Sequence, residues 1–267
     1  MAEISAKLVK QLRDEAGAGM MDCKRALQET GGDLEAAKRL LREKGMAQAG
    51  KRAGRATTEG LVEHRVDSDH GTMVAVGCET EPVAKNDEFR SFAQKVLELV
   101  DANGVGAEQE LEEERATLVA KLGENVTLAG AARFVALDGS RIAAYVHPPA
   151  NKLGTLVNLE GGSPELARAL AMHIAWFDPR WIAREDVPED VVTSEREILL
   201  NSEEVQSKPD QAREKIVDGM MNKRFFAERE GVLLDQPWIH EQSKTVAQAL
   251  AEESAEVLEF ERFALGG

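Results

Sequence analysis

Four carboxylates lie close together in one polar segment of the chain and are the first candidates for chemistry. The segment follows a run of small and apolar residues that ends at Cys78, and it contains Glu79, Glu81, Asp87 and Glu88. Two carboxylates held near each other can act as a general acid and a general base. These four lie on a turn with no neighbouring nucleophile candidate, so the sequence predicts that the protein is not an enzyme.

The histidines and cysteines show no spacing that is typical of a metal site. His64, His70 and Cys78 could approach one another across a hairpin, but His64 lies between two valines and is interpreted as a core histidine. The two cysteines, Cys23 and Cys78, are too few for a disulfide framework, and we expect reduced, buried thiols. The Gly-Ala-Gly segment at 17–19 has no preceding strand, so it does not fit a dinucleotide-binding loop. We therefore expect no metal and no cofactor.

The charge of the chain is strongly acidic and unevenly distributed. Its 267 residues carry 33 Lys and Arg against 48 Asp and Glu, a net charge of −15. Residues 1–65 have a balance of +3, whereas the remainder has a balance of −18. An acidic body repels phosphate backbones, so we expect a protein partner and no direct contact with nucleic acid. The basic residues Lys51, Arg52 and Arg55 are interpreted as part of a solvated linker, with a contact to RNA or an acidic surface as the alternative.

No feature of the sequence indicates a membrane protein or a secreted protein. No apolar run approaches the roughly 20 residues that cross a bilayer. The N-terminus lacks the basic and then apolar layout of a secretory signal. The sequence therefore predicts a cytoplasmic protein with no membrane partner.

Residues 1–45 predict a small three-helix module. Apolar residues recur at helical spacing in three short runs, and the last run starts after the N-cap candidate Asp33 and ends at Gly45. This layout is similar to that of a ubiquitin-associated domain. Residues 46–58 are rich in Ala, Gly and basic groups, and they predict a linker with some helical tendency.

The rest of the chain predicts an α+β body with antiparallel sheets. Strands are mixed with helices and with hairpins, without the regular strand–helix–strand alternation of a parallel sheet. One β-hairpin is predicted at 133–147, with its turn at Asp138-Gly139. We expect a core N-terminal sub-block at 59–140, a core C-terminal sub-block at 141–190 plus 232–267, and an inserted helical hairpin at 191–231.

Two stretches of the chain resemble signatures of the elongation factor Ts family. Residues 78–86, Cys-Glu-Thr-Glu-Pro-Val-Ala-Lys-Asn, are similar to the family pattern in which a strand ends in Glu-Thr-Asp-Phe-Val-Ala-Lys-Asn. Residues 16–24 match the N-terminal family pattern Thr-Gly-Ala-Gly-Met-Met-Asp-Cys-Lys except at Ala16. Further matches follow in family order at Met172-His173-Ile174-Ala175, Lys208-Pro209, Leu234-Asp235-Gln236-Pro237 and Ser243-Lys244-Thr245-Val246.

The resemblance implies a translation elongation factor that binds elongation factor Tu and promotes the release of GDP, with no bond chemistry. A factor that binds the nucleotide-free GTPase better than the nucleotide-bound form weakens GDP binding by the same ratio. In the family, a rigid tip disturbs the magnesium site or the phosphate loop of the GTPase. The residues expected to contact the partner are Thr80, Glu81, Pro82, Val83, Met20, Met21 and His173.

Three of these expected contacts have a competing interpretation. Met20 and Met21 stand side by side, so both cannot face a three-helix core, and an exposed methionine can adapt to a partner. The alternative is that the two residues are wedged at a helix start. For His173, packing within its own helix competes evenly with partner contact.

Two positions of the 78–86 stretch depart from the family pattern. Glu81 replaces Asp and retains the carboxylate, whereas Pro82 replaces Phe and offers less apolar area. An aromatic side chain is often the dominant anchor at an interface. We therefore expect that nucleotide exchange is slower with Pro82, or that another residue of the chain takes over the role of the family Phe. A non-catalytic adaptor with weakened exchange is therefore the alternative function.

Two further features are left open by the sequence. Trp176 and Phe177 replace small residues of the family pattern, and they either fill the core or remodel the interface. The helical hairpin at 191–231 can pair with its own core or with a second copy of the chain in a homodimer.

Overall fold

The N-terminal part of the chain is a bundle of three helices. The computed structural model describes residues 4–266, so the first three residues of the predicted 1–45 module and the last residue of the predicted core lie outside the described part. The helices are α1 Ala6–Ala16, α2 Met20–Glu29 and α3 Leu34–Arg52. Leu12, Cys23 and Leu27 are fully buried between them. Ser5 and Asp33 cap α1 and α3 by accepting hydrogen bonds from backbone amides of the first turns.

The prediction that the third helix ends at Gly45 is wrong. Helix α3 continues to Arg52, and Gly45 is a buried position inside it. A Cβ atom at Gly45 would lie 3.1 Å from the Cβ of Ala120 in α6 (Glu112–Leu122). The glycine therefore permits two helices to pack closely, which a sequence pattern does not distinguish from a helix stop.

The body is built from two antiparallel sheets, which confirms the predicted α+β class. The first sheet has the order β1-β2-β3 and the second has the order β4-β5-β6. The strands are β1 Glu59–Val66, β2 His70–Cys78, β3 Val126–Val135, β4 Ser140–Val146, β5 Leu153–Glu160 and β6 Glu256–Ala264.

The two sheets face each other across an apolar layer, and each is covered on its other side by a helix. Val62, Met73 and Leu156 are fully buried in the layer between the sheets. Helix α5 (Asp87–Asn103) buries Phe89, Val96 and Val100 with the first sheet, and α7 (Pro164–Phe177) covers the second sheet. A short helix α4 (Glu81–Ala84) and a 3-10 turn (Ala107–Leu111) that leads into α6 complete this region.

The predicted β-hairpin at 133–147 does not form. Strand β3 pairs with β2, and strand β4 pairs with β5, so the Asp138-Gly139 turn crosses from one sheet to the other. The amide of Ala136 donates to the carbonyl of Asp69 at 2.8 Å, which extends the pairing of β3 with β2. Local turn residues cannot specify this choice, because either partner strand satisfies the alternation of β3.

The interpretation of His64 as a core histidine is also wrong. Burial along β1 ends after Val62, and the second half of this edge strand extends beyond the core, so that His64 is exposed. The prediction for the thiols is confirmed, since Cys23 and Cys78 are free and buried.

The C-terminal half contains a group of helices with its own small core. They are α8 Glu189–Leu200, α9 Glu203–Gln206 and α10 Asp210–Met221, followed by a π-helical turn Asn222–Phe226. The later helix α11, Val246–Glu252, packs instead with α7 in the core of the second sheet. Val205, Val217 and Met221 are buried between α8, α9 and α10. No helix within residues 4–266 is long and apolar enough to cross a membrane.

Candidate functional site

The candidate site is the loop of residues 79–86, which joins β2 to α5 and is called the 79–86 loop below. Strand β2 ends at Cys78, and Thr80 remains extended before the chain turns into the single helical turn of α4, with Pro82 in its first turn. Asn86 then caps α5, because its side-chain oxygen accepts from the amides of Glu88 at 2.9 Å and Phe89 at 3.3 Å.

The base of the 79–86 loop is fastened to the segment that precedes β3. Glu124 accepts two hydrogen bonds from Thr80, one from its hydroxyl at 2.6 Å and one from its amide at 3.0 Å. Glu79 accepts from the amide of Asn125 at 2.6 Å, and Arg55 lies 3.4 Å from the same carboxylate. These contacts hold the loop in one geometry before any partner arrives.

The sequence did not mark Glu124 and Asn125 as residues that hold the candidate loop. They lie more than forty positions after Thr80 and Glu79, the loop residues that they contact, and no local motif marks them. Of the carboxylates first considered for acid–base chemistry, Glu79 serves this anchoring role, and Glu88 pairs with Lys121 at 2.5 Å. They act as structural groups in the contacts that the structure shows.

The tip of the 79–86 loop projects into solvent. Glu81 and Pro82 are exposed, Val83 is half-buried, and Ala84 is buried against the core. Lys85 donates to Glu81 at 2.6 Å and thereby lowers the pKa of this carboxyl, which keeps it ionised at neutral pH. An exposed pair of this kind contributes little stability, so Glu81 can leave Lys85 for a charged partner.

Cys78 lies at the end of β2 and supports the loop without being reactive. Its thiol donates to the carbonyl of Thr80 at 3.3 Å. Burial raises the pKa of Cys78 to about 12, so the thiol is protonated at neutral pH and is a poor nucleophile.

Met20 and Met21 are both exposed, at 56% and 65% of their surface, in the first turn of α2. This placement resolves the alternative left by the sequence, because neither side chain is wedged into the three-helix core. The bundle that carries them is joined to the body through α3 and α6. Arg42 forms an ion pair with Glu113 of α6, and Arg52 donates to the carbonyl of Val119 at 3.3 Å.

His173 is fully buried in α7 and links this helix to the segment before α11. Its Nδ1 accepts from the amide of Ile239 at 3.3 Å, so its Nε2 carries the proton and donates to Oε1 of Gln236 at 3.0 Å. Burial lowers the pKa of His173 to about 4. A direct contact with a partner would require the covering side chains to move.

The two aromatic residues after His173 have separate roles. Phe177 is half-buried and stacks on the His173 ring at 4.5 Å between centroids. Trp176 is 67% exposed and is therefore available to a partner. The structure thus places Phe177 in packing and Trp176 on the surface.

Comparisons with known proteins agree with the signatures. The family model described as Elongation factor TS matches residues 79–267, which begin at the first residue of the 79–86 loop. Elongation factor Ts of Cronobacter sakazakii is 40% identical over 270 residues, covering 100% of this chain and 93% of that relative. Elongation factor Ts of Escherichia coli and that of Shigella boydii are each 41% identical with the same coverage. The chain belongs to the elongation factor Ts family.

Proposed function

We propose that the 79–86 loop is the part of this chain that acts on elongation factor Tu during nucleotide exchange. Factors of this family promote the release of GDP from elongation factor Tu, and that is the function of this chain. The observation that carries the proposal is an exposed Glu81 and Pro82 on a base fixed by Thr80 and Glu124.

A fixed base matters because exchange depends on differential binding. The factor must bind nucleotide-free elongation factor Tu better than its GDP complex, and the same ratio then weakens GDP. A loop that is already ordered loses little conformational entropy on docking, so more of the contact energy can be directed against the nucleotide site. The hydrogen bonds of Glu124 to Thr80 supply this order.

Glu81 supplies the polar part of the proposed contact. Its ionised carboxylate can compete for the magnesium ion or for basic groups that hold the phosphates of GDP. Pro82 supplies a compact apolar ring beside it, and Val83 extends this apolar surface towards the core.

Met20 and Met21 form a second proposed contact with elongation factor Tu. Two adjacent, exposed methionines are flexible and polarisable, and they can adjust to an apolar groove on a partner.

His173 is proposed to act through Phe177 and Trp238, the two rings stacked on it. In this role it would hold the shape of the surface around Trp176.

The proposal also covers the cellular compartment, the exclusion of nucleic acid as a partner, and the oligomeric state. A factor that acts on elongation factor Tu works in the cytoplasm, and its net charge of −15 disfavours direct contact with nucleic acid. Homodimerisation through the 191–231 hairpin stays a prediction, supported by Ile198, which is 61% exposed on α8.

The test is the release of fluorescently labelled GDP from elongation factor Tu, followed by stopped-flow with and without the chain. We expect acceleration by the native chain, a loss of most of it in Glu81→Ala, and near-native rates in Lys85→Ala. Lys85→Ala is the matched control, because it breaks the same ion pair and leaves the carboxylate in place. Equal rates for the two variants would contradict a role of Glu81 at the partner, and binding without acceleration would favour an adaptor.

A further inference from the structure

We propose that Asp67, His70 and Asp101 form a binding site for one divalent transition-metal ion, with Zn²⁺ the best fit. Asp67 lies in the turn between β1 and β2, His70 is the first residue of β2, and Asp101 lies in the last turn of α5. This is the opposite end of β2 from the 79–86 loop, roughly 25 Å away at the rise of a strand. The inference is independent of the proposed exchange function.

The candidate ligand atoms already lie at distances suited to one small ion. One ligand atom from each residue lies within 4.8 Å of the other two. The Nε2 atom of His70 is 3.0 Å from Oδ1 of Asp101 and 3.8 Å from Oδ2 of Asp67. Atoms bound to one Zn²⁺ at about 2.0–2.2 Å lie roughly 3–3.6 Å apart, so a small movement of Asp67 closes the triangle. Asp67 is half-exposed and free to make that movement.

The neighbouring residues orient these ligands in the way that is usual around protein-bound metals. The Nδ1 atom of His70 lies 2.8 Å from Oδ1 of Asp69, which directs Nε2 towards the other two carboxylates. The hydroxyl of the fully buried Thr72 donates to Oδ1 of Asp101 at 2.7 Å. A carboxylate behind a metal-bound histidine fixes the ring and raises its basicity.

The position of Asp101 is held independently of a metal. Arg65 donates to its Oδ2 atom at 2.9 Å, and Arg133 donates to its backbone carbonyl at 3.0 Å. Its side chain is 10% exposed, so Oδ1 faces His70 from a rigid position. Because Arg65 binds Oδ2 of Asp101, the oxygen that faces His70 and the proposed metal position is Oδ1.

The donor set selects the class of ion. One imidazole nitrogen with two carboxylate oxygens suits Zn²⁺, whereas Mg²⁺ and Ca²⁺ prefer sites made of oxygen alone. Binding needs Nε2 of His70 without a proton, so any proton on that atom passes to solvent and the lone pair forms the bond to the metal. Water fills the remaining position from the exposed side of Asp67. The ion would tie the β1–β2 turn to α5 and stabilise the fold by mass action.

The three ligands come from segments that are distant in sequence, which explains why the sequence predicted no metal site. The combination considered there was His64, His70 and Cys78, but the full length of β2 separates His70 from Cys78, and His64 pairs with Met73 further along β1. The actual neighbour of His70 is Asp101, which lies 31 positions later in α5.

The test is calorimetric titration of the chelator-treated full chain with Zn²⁺, and separately with Mg²⁺. We expect one Zn²⁺ per chain, no binding of Mg²⁺, and a Zn²⁺ affinity weakened at least about tenfold in both Asp67→Asn and His70→Gln. The matched control is His147→Gln, which removes an exposed histidine elsewhere and should leave the affinity unchanged.

Circular dichroism and thermal unfolding distinguish a loss of Zn²⁺ binding from a loss of folding. Circular dichroism should show native content in Asp67→Asn, since this side chain is 54% exposed. Zn²⁺ should raise the melting temperature of the native chain and of His147→Gln, but not that of Asp67→Asn or His70→Gln. Failure of the folded native chain to bind Zn²⁺, or unchanged binding in Asp67→Asn and His70→Gln, would overturn the proposal.

Discussion

The hydroxyl of Thr80 donates to Oε1 of Glu124 at 2.6 Å, across 44 positions of sequence. The amide of Thr80 donates to the other oxygen of the same carboxylate. One side chain therefore holds both the backbone and the side chain of the residue that precedes the exposed tip. The geometry of the 79–86 loop depends on a residue outside its motif.

Removing this carboxylate should reduce exchange more than it reduces stability. Glu124→Ala frees Thr80, and ordering the loop on docking should then cost about 1 kcal/mol, or roughly a fivefold loss in the acceleration of GDP release. Stopped-flow release of labelled GDP measures it. Glu110→Ala, an exposed glutamate of the 107–111 turn, is the control and should behave like the native chain. Equal losses of exchange in Glu124→Ala and Glu110→Ala would argue against a role of the Thr80–Glu124 hydrogen bonds in ordering the loop.

An aromatic side chain at the tip of the 79–86 loop should strengthen its contact with elongation factor Tu. Pro82→Phe adds apolar area at an exposed position, and we expect GDP release to become about tenfold faster or more with a cognate elongation factor Tu. Pro82→Ala is the matched control, because it relieves the same backbone constraint without adding an aromatic ring, and its rate should stay well below that of Pro82→Phe. An unchanged or slower rate in Pro82→Phe would show that the tip does not enter an apolar pocket.

Two glycines of the same helix should respond differently to alanine. Gly50 has open space at its Cβ position, so Gly50→Ala should raise the free energy of unfolding by about 0.5–1 kcal/mol through helix propensity. Gly45→Ala gains the same propensity but places its methyl group 3.1 Å from Ala120, so its stability should be lower than that of Gly50→Ala. Thermal unfolding of both variants tests this, and identical melting temperatures would refute close packing of α3 on α6.

Acid should destabilise the protein through His173. Because the folded pKa is about 4, below the ordinary value near 6.5, the unfolded chain binds more protons than the folded chain between these values. The contribution of His173 is fully present above about pH 6.5 and is lost as the pH falls towards about 4, by up to about 3 kcal/mol.

The variant His173→Gln isolates this effect. Urea unfolding across that pH window should show a shallower dependence of stability on pH in His173→Gln than in the native chain. The carboxylates titrate equally in both proteins, so the difference between the two curves belongs to His173. Parallel curves would mean that His173 has the same pKa in the folded and the unfolded chain.

Local signals determined much of what the sequence predicted. The helix start at Asp33 follows from a side chain that caps a backbone amide three residues later, and the structure shows this cap. The α+β class and the family also follow from the sequence, through alternating apolar residues and ordered signatures.

The tertiary structure decided which distant residues meet. Alternation tells which face of β3 is apolar, but pairing with β2 instead of β4 depends on how the two sheets pack. The meeting of Thr80 with Glu124 and that of His70 with Asp101 have the same origin, because each joins segments that approach only after β2 is placed against its neighbours. Sequence spacing encodes contacts along one helix or strand, whereas contacts between elements depend on how the whole core is filled.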